Sequence, residues 1–339
     1  MRSASRAARA LFASLLVTSS LLTAGAAATL AQAPSGVGTE VPYVDEDGIL
    51  RGTIKLSSVA DPFTDNDPNS PPPTDSRYIG LVVAFTAADD QKFDTYPGSI
   101  ALQDTTGTIW TPGYVPRPAD AIVPDAQNQS MAPGNRLSGF IGYTVPTDVV
   151  IDQILYQSDY YRAIVLADLV PGGGPAAGQP VTYTRADGSQ VAITAEITDP
   201  FTDNDPGSPP AEGTRYVSVH ASMDNTGAIR YAGDPYQIIL HLDDGHLIFS
   251  TYVARAPDAP IPDFESQTMS PGDHISGLLN FVVPAASKVI SVDYQAESNK
   301  RIILADLTAG AGPAGSPAPA PSEAPAPSVS PVPSAGTAQ

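Results

Sequence analysis

The residues best suited to chemistry form an acidic segment, DPFTDNDP, that occurs twice, at 61–68 and at 199–206. In each copy the three carboxylates stand at positions i, i+4 and i+6, and an asparagine adds a side-chain carbonyl. Hard oxygen ligands crowded on a short loop are the ligands that Ca²⁺ prefers. The candidate calcium ligands are Asp61, Asp65 and Asp67 in the first copy and Asp199, Asp203 and Asp205 in the second.

The same segment has an alternative interpretation that needs no ion. Asp and Asn side chains followed by proline form turns, because they cap their own backbone. The glycine-punctuated calcium loop with a glutamate at a fixed bidentate position is absent from the sequence. The segment is therefore either a duplicated calcium loop or a self-capped connection, and calcium is the one cofactor that the sequence suggests.

These segments belong to a much longer repeat. The stretch 61–169 aligns with 199–307 without a gap, and identical residues recur along the whole alignment. Each unit is about 130 residues long, which is the size of an independent domain and too long for a solenoid repeat. The sequence therefore predicts two tandem domains of one architecture.

Within each unit the apolar residues recur with a period of two. In the second unit Val217, Val219 and Ala221 lie on one face of a predicted strand, and the residues between them lie on the other. Asp244 and Gly245 mark a hairpin turn between two β-rich runs. With Pro-Gly turns opening strands and prolines ending them, the pattern predicts two antiparallel β-sandwiches, each of seven or eight short strands.

Several local motifs resemble a bacterial family of domains of unknown function. They are a strand that begins G-x-RYV, a hairpin with a glycine turn, an MxPG turn before GxLxFxVP, and a closing tyrosine strand. That family has a telokin-like, immunoglobulin-type sandwich and is grouped with secreted immunoprotective antigens. The resemblance covers 41–170 and 180–308 and implies an immunoglobulin-like fold and an extracellular location, with no defined activity or catalytic residues to transfer.

The two ends of the chain differ in composition from the repeat. The stretch 1–33 combines arginines, an apolar run and small residues, which is typical of an export signal. The stretch 310–339 is almost purely Pro, Ala, Ser and Gly, which predicts a disordered tail. The predicted organisation is a signal peptide at 1–33, a first sandwich at 34–170, a linker at 171–180, a second sandwich at 181–309 and the tail at 310–339.

Composition excludes several classes of function. A formal net charge of −19 repels nucleic acid and anionic membrane surfaces, and no second long apolar run predicts a membrane span in the mature chain. The absence of cysteine excludes disulfides, thiolate metal sites and a cysteine nucleophile. Because the common serine-hydrolase, zinc-protease and phosphate-binding motifs are also absent, the sequence predicts no enzyme.

All four histidines lie in the second unit, and none has a histidine counterpart in the first. A histidine site shared by both units is therefore excluded. His241 and His246 flank Asp243 and Asp244 across the predicted hairpin turn, where they could bind zinc or nickel. The alternative is that they are ordinary exposed polar residues of a turn.

Aromatic residues near the second hairpin strand provide candidate partner contacts. They are Trp110 and Tyr114 in the first unit and Phe249 and Tyr252 in the second. Large aromatics near loops anchor partners, although others belong to cores. The sequence favours an exported, non-enzymatic binding or envelope-associated module, whose partner is a protein or an envelope component. The alternatives are calcium-dependent adhesion or stabilisation and, third, a hydrolase, which needs a cleft between the domains that the linker does not predict.

Overall fold

The computed structural model describes residues 36–45, 48–159, 161–170, 174–255 and 259–308. The predicted signal peptide and tail, and part of the predicted linker, lie outside this range. Within it the chain forms antiparallel β-strands and two 3-10 turns of three residues each. No helix in these residues is both long and apolar enough to cross a bilayer. The predicted all-β class is confirmed.

Two sets of ten strands follow one another among the described residues. The first set is β1 (Glu40–Val44), β2 (Leu50–Ala60), β3 (Ser76–Ala87), β4 (Phe93–Thr95), β5 (Ile100–Asp104), β6 (Ile109–Trp110), β7 (Gln129–Met131), β8 (Arg136–Pro146), β9 (Ile151–Asp159) and β10 (Arg162–Asp168). The second set is β11 (Val181–Thr184), β12 (Gln190–Thr198), β13 (Thr214–Asp224), β14 (Tyr231–Gly233), β15 (Ile238–Leu242), β16 (Leu247–Phe249), β17 (Gln267–Met269), β18 (His274–Pro284), β19 (Val289–Glu297) and β20 (Lys300–Asp306).

Each set exceeds the predicted seven or eight strands because it includes very short ones. β4 pairs with β7, and β14 with β17, over three residues each. Three residues are too few to show an alternating pattern, so the sequence does not reveal them. From β3 onward, each strand of the second set begins at the residue that the gapless alignment matches to the start of its counterpart.

Each unit packs two four-stranded sheets face to face. In the first unit the orders are β1-β2-β3-β8 and β10-β9-β5-β6, and the second unit repeats them as β11-β12-β13-β18 and β16-β15-β19-β20. The predicted alternation holds, since Val217, Val219 and Ala221 are fully buried on the inner face of β13. The apolar core of each unit therefore lies between its own two sheets.

The two units contact each other through hairpins that are equivalent in the repeat. The carbonyl of Gly107, in the β5–β6 turn, accepts a hydrogen bond of 2.8 Å from the amide of Arg301 on β20. The carbonyl of Gly245, in the β15–β16 turn, accepts one of 2.9 Å from the amide of Ala163 on β10. Because equivalent residues make both contacts, the junction has the reciprocal form of a two-fold interface.

The same contacts join the sheets of the two units at their edges. Antiparallel bridges connect Thr108 to Lys300 and Arg162 to His246. These residues lie on or directly beside β6, β20, β10 and β16, which are the edge strands of the sheets that contain β5 and β15. The two sheets consequently pair with each other at both edges, and the beginnings of β10 and β20 are covered by the hairpin of the other unit.

Gly107 is the position where this junction leaves least room. A Cβ at Gly107 would lie 2.4 Å from the carbonyl oxygen of Arg301, and its φ is +84°. Gly188 has nearly the same φ, +85°, but nothing lies within 4 Å of its Cβ position. We expect Gly188→Ala to cost about 1–2 kcal/mol of unfolding free energy from backbone strain alone, and Gly107→Ala to cost clearly more. Urea denaturation of both variants measures this difference, and equal losses would contradict the close approach of the hairpin.

Candidate functional site

The first acid of each acidic loop is bound by an arginine. Both carboxylate oxygens of Asp61 accept hydrogen bonds from Arg77, at 2.5 Å from Nε and 2.9 Å from Nη2. Arg215 holds Asp199 in the same way, at 2.6 and 2.8 Å. The hydrogen bond to Asp61 raises the pKa of Arg77, as expected for a bidentate pair. Arg77 also donates to the carbonyl of Pro146 at 2.6 Å, so the pair ties the loop to the end of β8.

The later residues of the first loop cap the loop's own backbone. Asp67 Oδ1 accepts the amide of Asn69 at 2.9 Å, and Asn66 Nδ2 donates to the carbonyl of Ser70 at 3.2 Å. The second loop repeats both contacts. No group of three or more His, Asp or Glu residues in the described ranges could hold a metal ion. These contacts are those of a self-capped connection, and calcium binding stays a prediction.

Substitutions at the first and second acids of the loop distinguish an acid that holds the fold from an acid that could bind calcium. We expect Asp61→Asn to lower the free energy of unfolding by about 1–2 kcal/mol, because Arg77 loses a charged bidentate partner that is partly shielded from water. Asp65→Asn, on the exposed part of the same loop, is the matched control and should change little. Calorimetric melting measures both.

Calcium in excess should leave the melting temperature of the chelator-treated wild type unchanged. A rise in melting temperature that disappears in Asp65→Asn and Asp203→Asn would instead establish a duplicated calcium loop.

The four candidate aromatic residues fall into two environments. Tyr114 and Tyr252 are each 82% exposed. Trp110 is half-buried against the core of the first unit, and its Nε1 donates to Asp104 at 2.9 Å. Phe249 is half-buried at the junction between the units and packs against Ala163. Among the four, the two tyrosines are thus the side chains that present most of their surface to solvent.

The two histidines of the second hairpin do not lie together in an exposed turn. His246 Nδ1 lies 2.9 Å from Asp244 Oδ1 at the turn. His241 is only 4% exposed, and its Nε2 lies 2.7 Å from the carbonyl oxygen of Ala163 in the other unit. The expectation of an exposed turn residue is wrong for His241, because β15 carries it into the junction.

A cavity of about 450 Å³ opens at this junction, lined by residues of both units. Four of its polar lining residues are almost fully buried: Gln103, His241, Asp293 and Arg301. The linker sequence does not predict a cleft between the domains. The cavity lies where the hairpins of the two units meet.

The buried charges of this cavity have no counterparts in the first unit. The repeat places Leu155 where the second unit has Asp293, and Ala163 where it has Arg301. Gln103 stands where the second unit has His241, and Gln103 Nε2 donates to the carbonyl of Arg301 at 2.9 Å. The histidine and the glutamine therefore make equivalent contacts across the junction. Asp293 and Arg301 alternate with the core residues Val292, Tyr294 and Ile302, so they lie on the outward face of their strands and resemble surface residues in the sequence. Their difference from the apolar residues at the aligned positions of the first unit is the signal by which the sequence could have indicated this site.

Hydrogen bonding shows what the histidine can do chemically. A carbonyl only accepts, so His241 Nε2 carries the proton in its contact with Ala163, and Nδ1, 3.9 Å from Asp293 Oδ2, is unprotonated in the neutral ring. Ser291 Oγ donates to Asp293 at 2.7 Å rather than to the histidine. Burial lowers the pKa of His241, against the opposing charge of Asp293. The serine, histidine and aspartate are therefore not connected in the order that nucleophilic catalysis requires.

The buried histidine makes stability depend on pH. The folded protein holds the pKa of His241 below its ordinary value of 6.5, so the unfolded chain binds the additional proton as pH falls. The stability that this group contributes is present above pH 6.5 and is lost below it. We expect His241→Gln, which copies Gln103, to lose less melting temperature than wild type between pH 7.5 and 5.5. Equal losses of melting temperature in the two proteins would show that protonation of His241 does not destabilise the folded protein. His274→Gln, on an exposed residue, is the control.

No protein-family model matches the chain, and no curated protein matches it. Among solved structures, the chain is similar to a secreted protein from Mycobacterium tuberculosis, MPT63, with 14% sequence identity and a TM-score of 0.29. That similarity covers 38% of this chain and 92% of the other. Membership of the bacterial family that the sequence motifs resemble stays a prediction.

Proposed function

We propose that the chain is an exported, non-enzymatic binding module that contacts a protein or envelope component through two matched surfaces, one on each unit. The observation that carries the proposal is the equal exposure, 82%, of Tyr114 and Tyr252 at equivalent positions of the repeat. Tyrosine supplies a large amphipathic contact area, and an exposed one in a fixed loop is suited to anchor a partner.

The loops that carry these tyrosines are fastened in the same way in both units. Arg117 pairs with Asp125 at 2.5 Å and lies 4.2 Å from the centre of the Phe140 ring. In the second unit Arg255 pairs with Asp263 at 2.8 Å. A loop that is already held in place loses little conformational entropy when a partner binds. Each tyrosine therefore lies three residues before an arginine that an ion pair holds.

The first surface also has a shape that could receive a partner's side chain. Tyr114 lies beside a hollow of about 240 Å³ whose lining includes Pro97, Pro112 and Phe140. Apolar and aromatic linings of this kind favour apolar side chains. With an exposed tyrosine at the equivalent position of each unit, the chain would bind a partner that repeats its epitope with avidity.

The non-enzymatic part of the proposal is supported by the contacts at the junction. His241 is the one buried histidine among the described residues, and its protonated nitrogen donates to the backbone carbonyl of Ala163. The carboxylate that it faces, Asp293, already accepts a hydrogen bond from Ser291. Export is supported by the composition of the stretch 1–33.

Binding of the purified mature chain to cell-envelope fractions of the producing organism tests the proposal. We expect Tyr114→Ser and Tyr252→Ser each to weaken binding by about tenfold, and the double variant to abolish it, because avidity needs both surfaces. Tyr236→Ser, on a tyrosine that is 54% exposed elsewhere on the second unit, is the matched control. Binding that survives in the double variant, or that is lost equally in the control, would contradict the assignment of these surfaces.

A further inference from the structure

We propose that the cavity between the two units binds a small zwitterion with an apolar body, which is the chemistry of a free apolar amino acid or dipeptide. This site is separate from the tyrosine surfaces. Its volume, about 450 Å³, lies in the range of pockets that bind small molecules.

The repeat itself shows that the buried charges are not needed for the fold. The first unit forms the same strands with Leu155 and Ala163 in place of Asp293 and Arg301. Burying an ion pair costs desolvation free energy that apolar residues of the same fold avoid. Asp293 is 1% exposed and Arg301 is 2% exposed, so this cost is incurred in the second unit and avoided in the first. A ligand that uses the charges accounts for the difference.

The guanidinium of Arg301 is buried and incompletely hydrogen-bonded by its neighbours. Its Nε lies 3.6 Å from Asp293, its Nη2 lies 3.5 Å from Gln103 Oε1, and its Nη1 has no hydrogen-bond partner among the described residues. Arg77, by contrast, holds its aspartate at 2.5 and 2.9 Å. A carboxylate is the group that a guanidinium binds best.

Other lining residues specify the rest of the ligand. Val165, Val289, Ile303 and Leu307 offer apolar surface to its body. Two equivalent carboxylates, Asp168 and Asp306, also line the cavity and supply acceptors for an ammonium group.

The lining carries charges of both signs. Four carboxylates, Asp168, Asp243, Asp293 and Asp306, would repel a simple anion, while Arg301 and Lys288 offer partners that a simple cation would leave unused. The negative charge also acts on Asp152 nearby. Burial raises the pKa of Asp152 most, and the charge of Asp168 raises it further. A molecule that carries both charges satisfies both sets.

Calorimetric titration of the mature chain with L-leucine and with leucyl-leucine tests the proposal. We expect at least one of them to bind and to raise the melting temperature. N-acetyl-leucine, which lacks the ammonium, and leucinamide, which lacks the carboxylate, should bind at least about tenfold more weakly than leucine, and the correspondingly blocked dipeptides more weakly than leucyl-leucine. No heat and no shift with either free compound, or equal binding of the blocked forms, would overturn the proposal.

Two variants connect the binding to these residues. Asp293→Leu combined with Arg301→Ala installs the residues of the first unit, so it should remain folded by melting and lose the binding. Asp168→Asn combined with Asp306→Asn leaves the buried pair in place and should weaken binding of the free amine by about tenfold or more. Lys92→Ala, in an exposed ion pair, should change nothing. Undiminished binding in both double variants would overturn the assignment of the site.

Discussion

The main-chain pairing between each hairpin turn and the edge strand of the other unit is the interaction on which the rest of the structure depends. Gly107 and Gly245 let the two backbones approach closely enough for amides and carbonyls to bond across the junction. Side chains of ordinary size at these turns would collide with the opposite strand. This pairing covers part of the edge of each sheet, buries His241 and Arg301, and borders the cavity between the units.

The junction is symmetric in its backbone and asymmetric in its side chains. The backbone contacts recur at equivalent residues, whereas the charged side chains at the centre belong to the second unit. A duplicated fold allows this, because one unit supplies packing while its copy carries polar groups at a cost in stability. Gln103 and His241 are equivalent positions and show the change most directly. Gln103 binds the carbonyl of Arg301, and His241 binds the carbonyl of Ala163, which is the residue equivalent to Arg301.

Arginine has two different uses in this chain. On the outside of each unit, Arg77 and Arg215 bind the first acid of the repeated acidic loop at short distance, and Arg117 and Arg255 fasten the loop that carries the exposed tyrosine. These pairs hold long connections against the sheets. Arg301 is instead buried, and its contacts to Asp293 and Gln103 are long. A short bidentate pair fixes a loop, whereas long contacts leave a guanidinium suited to bind a ligand.

The sequence by itself determined the all-β class, because period-two alternation and turn residues are local signals. From β3 onward the strands also follow the register of the internal alignment, as expected when two equivalent units place equivalent residues alike. The sequence left open whether the acidic segments bind an ion, since the same residues suit a calcium loop and a self-capped turn. It did not reveal β4, β7, β14 and β17, which are too short to show a pattern.

Only the tertiary structure decided which side chains meet across the junction. His241 reads as a turn residue in sequence, and its burial depends on a strand of the other unit that is distant along the chain. The same is true of the cavity, whose lining residues come from separate strands of two units. Contacts of this kind depend on how two separate units meet, and a contact between units has no local periodic pattern of its own, unlike the alternation of each core.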